Sequence, residues 1–154
     1  MRWDSLADEN CSLARTLAVI GDRWTLLVLR DAFLRVRRFE DFENSLRIAR
    51  RVLSERLALL VEHGILAKVP YQERPTRYEY RLTDKGLDLY PVVLSLVHWG
   101  DKHYAGRKGP PLLHTHLRCG HDFKSVMTCG ACGEALKAGD VRVRPGPGAK
   151  KRAA

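Results

Sequence analysis

The sequence predicts a mostly α chain carrying a small β-hairpin, an α+β class, and three observations predict it. Two short amphipathic helices flank a tight break between residues 39 and 63; a strand, an Arg/Pro turn and a returning strand follow at once; and a third helical stretch is too apolar to have one buried face. Phe39, Phe42 and Leu46 fall on one face of the first helix, with Glu40, Asp41 and Glu43 opposite. After Arg47-Ile48-Ala49, the run from Arg50 to His63 places Leu53, Leu57, Leu60 and Val61 on a second apolar face, and Gly64 ends it.

The exposed side of that second helix is informative in its own right. Its first turns offer Arg50, Arg51, Ser54 and Glu55, with Arg56 at the edge. In a helix-turn-helix, early residues of the second helix reach base edges in the major groove, where Arg bonds guanine bidentately and Ser bonds either way. Basic helix faces are also common as plain solvated surface, so the next segment matters. Ile65 to Tyr71 reads as a strand, residues 72–76 as a turn, and Arg77 to Leu82 as a strand with alternating aromatics. Pro70 and Pro75 confine this hairpin to a sheet edge. Helix, turn, helix and edge hairpin in this order predict a winged helix-turn-helix with double-stranded DNA as its partner. Arg47 and the hairpin's Arg74 and Arg77 are the candidates for phosphate or minor-groove contacts.

At 154 residues there is room for one core and an appendage. The start, Met1 to Asn10, carries Asp4, Asp8 and Glu9 and does not resemble a leader, and no run of about 18 apolar residues could span a bilayer. These features predict a cytoplasmic chain with no membrane partner, where four cysteines serve as thiols or metal ligands rather than structural disulfides. Charge is unevenly placed: residues 1–106 hold 17 Lys/Arg against 15 Asp/Glu, and residues 107–154 hold 10 against 3. The tail therefore adds a nonspecific attraction to phosphate, or merely solubility.

From Thr83, a plausible N-cap, to Tyr104 a single helix is expected, kinked at Pro91 unless that residue falls in the first turns. Leu87, Leu89, Tyr90, Val92, Val93, Leu94, Leu96, Val97 and Trp99 cover more than one of its faces. The surplus calls for a second copy of this chain, with residues 3–20 contributing, or else for burial in the monomer core.

Four stretches together resemble the HxlR-type transcription regulators, bacterial winged-helix homodimers related to the MarR group: Cys11 to Leu17, Ile20 to Thr25, Arg50 to Leu57 and Tyr78 to Gly86. The resemblance covers about residues 8–104. Two positions depart from it: Ser12 stands where the family usually has Pro, and Ala49 where it usually has Ser or Thr. Ala49 forgoes an N-cap worth about 1 kcal/mol, which allows the second helix to start late or to stay frayed until DNA orders it. The resemblance implies a homodimeric regulator, more often a repressor, acting on a two-fold-related operator and responsive to a small molecule or an oxidant. It also implies a sensor role for Cys11, since several members sense oxidants at this position. Asn10 is a good cap for the first helix, which would set Cys11 at its positive end with Arg15 four residues on; a buried, inert Cys11 is the alternative.

The C-terminal cysteines lie beyond the resemblance. Cys129 and Cys132, in a Cys-x-x-Cys-Gly turn, with Cys119 and His121 would offer three sulfurs and one nitrogen, a set that suits zinc. His114 and His116 are the spare ligands. A segment this short rarely folds without a metal or another staple, although a Cys129/Cys132 redox pair or metal-free packing would also account for the residues. The domain reading is a winged-helix and dimerisation domain at 1–106, a linker at 107–113, a Cys/His-rich zinc-ribbon-like extension at 114–140 and a disordered basic tail at 141–154. No phosphate-cradling Gly loop, nucleophile elbow or zinc-protease helix is present, so an enzyme is not expected. The rival functions are a small thiol oxidoreductase or a zinc-ribbon interaction module, both using the C-terminal cysteines.

Overall fold

The computed structural model describes residues 3–149. A 3₁₀ turn, Trp3–Asp8, precedes α1 (Ser12–Ile20), α2 (Arg23–Phe33), α3 (Phe39–Leu46) and α4 (Arg50–Glu62). An antiparallel hairpin follows, β1 (Leu66–Glu73) and β2 (Thr76–Leu82), and then α5 (Asp84–Leu87) and α6 (Tyr90–Tyr104). Contacts divide the chain into two compact units between Val93 and Leu94. This division falls earlier than the expected boundary at 106. The later half of α6 contributes His98 to the C-terminal unit, where it meets Ser125, His114 and Phe123.

The first unit is built around α2. Val28 and Leu29 of α2, Phe42 of α3, and Leu53, Leu57 and Leu60 of α4 are fully buried together, with Ile20, Ile48, Ile65 and Leu66 closing the core. The apolar faces read from periodicity are thus the buried ones. Asp22 caps α2, its carboxylate accepting from the backbone N–H of Trp24 at 2.9 Å and Thr25 at 3.3 Å. Gly21, just before it, has no room for a side chain, since a Cβ would sit 2.4 Å from the Leu17 carbonyl oxygen.

Thr83 and its neighbours fasten the hairpin to the end of α4. The Thr83 hydroxyl donates to the Gly64 carbonyl at 2.6 Å and accepts from Gly86 N–H, and Lys85 Nζ donates to the His63 carbonyl. Thr83 therefore caps a helix, as its sequence suggests, but the helix it caps is the single turn α5. The long expected helix is two, because Pro91 has no N–H to donate to the preceding turn; the chain breaks at residues 88–89 and Pro91 takes the second position of α6, where no donor is needed. Among the described residues no helix is long and apolar enough to cross a membrane. Of the basic tail, residues 150–154 lie outside the described residues.

Candidate nucleic-acid interface

Helix α3 ends at Arg47, which adopts the left-handed conformation (φ 48°, ψ 39°), and its N–H donates to the Glu43 carbonyl. Ile48 then turns into the core and Ala49 opens α4 without a side-chain cap. This tight turn joins α3 to α4 and leaves Ala49, Arg50 and Arg51 at the start of α4 exposed. Despite the missing cap, α4 begins at Arg50, where the sequence allows a later start.

Two of the expected base readers are open. Ser54 is exposed, and the side chain of Arg51 is 90% exposed, held only by Glu55 one turn on, Nε to Oε1 3.0 Å. Arg50 is exposed but engaged: its guanidinium lies 4.7 Å from the Phe39 ring centre and bonds Glu43 at 2.9 Å. An exposed pair of this kind contributes at most about 1 kcal/mol, whereas a bidentate Arg–guanine pair is worth about 1–3 kcal/mol. Arg56 is placed apart from these: it turns inward to the α2 cap, Nε 3.1 Å from Asp22 Oδ1, as an ion pair rather than a directed hydrogen bond. Its cation balances Asp22 and is not presented with Arg51 and Ser54.

The strands run further than expected, β1 to Glu73 and β2 from Thr76, so the tip narrows to Arg74-Pro75 with a register shift between Pro70 and Gln72. Arg74 and Arg77 are both exposed there. The hairpin is braced by a segment that periodicity does not mark. Arg38 bridges to Glu79, the Arg37 carbonyl accepts from Tyr80 N–H at 2.7 Å, and the Arg38 guanidinium lies 4.4 Å from the Tyr71 ring centre. Arg35, Arg37 and Arg38 are exposed, and Arg37 and Arg38 add cations beside the wing. The sequence signal for them is the run Arg35-Val36-Arg37-Arg38. Tyr80, half-buried between brace and wing, has its phenol pushed up by burial and then by Glu40, which keeps it neutral.

A helix-turn-helix with a braced wing and an exposed Arg/Ser face matches one family. The family model described as HxlR-like helix-turn-helix fits residues 19–108. The chain belongs to the HxlR-like helix-turn-helix family. It is 44% identical over 146 residues to an uncharacterized HTH-type transcriptional regulator of Mycobacterium tuberculosis, covering 95% of this chain and 92% of the relative. Among solved structures it is similar to PA1607, described as a proposed transcription factor, with a TM-score of 0.81, 37% identity and coverage of 91% of this chain and 98% of that one. It is also similar to the redox regulator HypR in its reduced form, TM-score 0.56 and 31% identity, over 60% of this chain and 92% of HypR. This HxlR-like protein is a DNA-binding transcription regulator, not an enzyme. The span shared with the mycobacterial relative takes in the C-terminal unit, whereas the span shared with HypR is much shorter.

The remaining candidates lie apart from this face. Cys11 is exposed, but it is itself the N-cap of α1, and Arg15 points back to the Glu9 carbonyl and Asn10 rather than supporting a cap at Asn10. In the C-terminal unit, Cys129 and Cys132 are close; backbone N–H groups of Cys132 and Ala131, and then the Cys132 side chain, hold the Cys129 thiol below its usual range. The side chain beside Cys119 is that of His116, Nδ1 to Sγ 3.3 Å, and not that of His121. Among the described residues no three His, Cys, Asp or Glu side chains converge as a group that could hold a metal.

Proposed function

We propose that this HxlR-like regulator is a homodimeric repressor that reads a two-fold-related operator through α4, acting in the cytoplasm where chromosomal DNA lies. The observation that carries the reading is the first two turns of α4: Arg51 and Ser54 are open on one side while Leu53, Leu57 and Leu60 are completely buried on the other. A rigid helix fixed by three core leucines can present side chains to base edges without paying to order itself. In this reading Arg50 joins Arg51 and Ser54 once Glu43 is displaced, while Arg47, Arg74 and Arg77 position the duplex through its backbone or minor groove.

Dimerisation is supported by apolar side chains left in solvent. Val92, Leu96 and Trp99 form a stripe along α6, and Leu13 and Leu17 one along α1; all five are exposed. A two-fold pairing would bury such stripes and place two α4 helices about one DNA turn apart, or a multiple of it. The test is fluorescence anisotropy at physiological salt against the protein's own upstream DNA and a scrambled duplex. A preference of about a thousandfold or more supports the reading; equal, salt-sensitive binding to both would reduce it to charge alone.

Oxidant response is a second element, favoured by the exposed Cys11 thiol and by the likeness to a structure named as a redox regulator. If Cys11 is the sensor, peroxide lowers operator affinity of the native protein and leaves Cys11→Ser unchanged. Equal loss in both would move the response to the C-terminal thiols.

A further inference from the structure

The C-terminal unit is built from one turn used twice. In the first copy, His116 N–H donates to the His121 carbonyl at 2.9 Å, Gly120 N–H donates back to the His116 carbonyl at 2.8 Å, and Thr115 bridges to Asp122. In the second, thirteen residues on, Cys129 N–H donates to the Glu134 carbonyl at 2.8 Å, Gly133 N–H to the Cys129 carbonyl at 2.8 Å, and Thr128 bridges to Ala135. The outer pair repeats as well, Phe123 to His114 at 2.9 Å and Leu136 to Met127 at 2.8 Å. Gly120 and Gly133 occupy the same left-handed position, with φ of 70° and 77°. Superposing the copies by this bonding aligns His116 with Cys129 and Cys119 with Cys132.

The correspondence settles which side chains form pairs. The first and fourth residues of each turn bear a ligating side chain: in the first turn His116 Nδ1 is 3.3 Å from Cys119 Sγ, and Cys129 and Cys132 hold the matching positions of the second. His121 takes the place of Glu134, supplying a carbonyl to the turn from beyond its glycine. The unit's turn-bearing segment has little apolar interior among the described residues. From Thr115 to Ala149 every residue is exposed except the partly covered Phe123 and Cys129, and Leu117 is 94% exposed. A segment of that size without a core needs a staple, and it has no disulfide, its cysteines being free.

We propose that a single soft divalent cation, zinc by its donor set, joins the two turns through His116, Cys119, Cys129 and Cys132, with His121 outside the ligand set. Three thiolates and one imidazole complete a tetrahedral shell, and each turn brings half of it. The turns do not converge on their own as a group of three or more ligands, so binding of the ion draws them together and folds the unit around it. This inference does not depend on the DNA reading.

The test uses the full chain, stripped of metal and titrated with cobalt(II), followed by zinc competition and elemental analysis of the zinc-loaded protein. The expected result is about one ion per chain, with the intense visible bands of tetrahedral cobalt and the ultraviolet charge transfer of several thiolates. His116→Ala and Cys132→Ser should each weaken binding by tenfold or more, whereas His121→Ala should bind as the native chain does. Helical circular dichroism on each variant separates ligand loss from failure of the first unit to fold. No stoichiometric ion, or loss in His121→Ala with retention in His116→Ala, overturns the proposal. So does a Cys129–Cys132 disulfide that forms readily in the zinc-loaded protein.

Discussion

The two units of this chain solve the problem of small size in opposite ways. The first buries Val28, Leu29, Phe42, Leu53, Leu57 and Leu60 completely, a core from three helices that leaves its functional cations outside. The second keeps Leu117, Val126, Met127 and Val143 in solvent and spends its sequence on repeated turns, glycines and ligating side chains. Burial of one large apolar side chain stabilises by about 1.5–3 kcal/mol, so the first unit draws its stability from many such residues. In the proposal made above, the second draws it from a few strong bonds to one ion. A core tolerates surface change but not cavities, and a stapled unit tolerates apolar truncation but not loss of a ligand.

The comparison is broken most directly by paired truncations. Phe42→Ala should cost the first unit about 3–5 kcal/mol, enough to remove most of a small domain's stability and abolish operator binding at 37 °C. Val126→Ala in the second unit should leave thermal unfolding within about 0.5 kcal/mol of native, as surface changes do. Chemical denaturation of both variants measures the two numbers. A comparable loss in Val126→Ala would reveal a core in the second unit.

Metal removal sharpens the same contrast. Chelation should open the second unit to trypsin at Arg118, Lys124 and Lys137, all exposed, while residues 12–93 stay protected and the main unfolding transition keeps its midpoint. Limited proteolysis read by mass spectrometry reports which unit is cut. Equal protection with and without chelator would remove the staple from the account, and simultaneous cutting in both units would show that their stabilities are linked.

The same contrast governs what can be read from sequence. Periodicity of 3.6 finds a helix face buried in a core, so Phe42, Leu53, Leu57 and Leu60, and with them α3 and α4, were legible, and alternation around an Arg/Pro turn made the hairpin legible. Periodicity says nothing about which charged neighbour a side chain chooses. Arg56 lies on the expected edge of α4 yet pairs with Asp22 from another helix, and Arg50 rests on Phe39 and Glu43 of α3. Both partners are set by how the helices cross. The brace at Arg37 and Arg38 was illegible for a similar reason, since a two-residue edge contact has no period. In the second unit, spacing could nominate Cys119, Cys129 and Cys132, but choosing His116 over His121 takes the hydrogen bonds of the turn.

Within the first unit, the division between reading and supporting arginines can be tested on one helix. Arg51→Ala should weaken operator binding by about 1–3 kcal/mol and relax preference at one base position. Arg56→Ala should leave base preference intact and instead lower thermal stability by about 1 kcal/mol or less, because its cation is partly screened and serves the α2 cap. Anisotropy against single-substitution operators, beside thermal melts, separates the two. Uniform weakening across all sequences in Arg51→Ala would make it a phosphate contact, and altered base preference in Arg56→Ala would return that residue to the reading face.

The smallest effect tests whether α4 is formed before DNA arrives. Ala49 already has the extended conformation of an N-cap (φ −60°, ψ 131°) but has no oxygen to accept from the first turn. Ala49→Ser adds that acceptor without moving the backbone and should stabilise by about 0.5–1 kcal/mol, at the modest end of what such caps contribute. The melting midpoint should rise by a few degrees, on the order of 2–6 °C for a domain of this size. Operator affinity should not change, because α4 is helical from Arg50 and its buried leucines hold it there. If affinity rises by the same free energy as stability, the first turn of α4 is instead being ordered by DNA, and the missing cap tunes how tightly the regulator holds its operator.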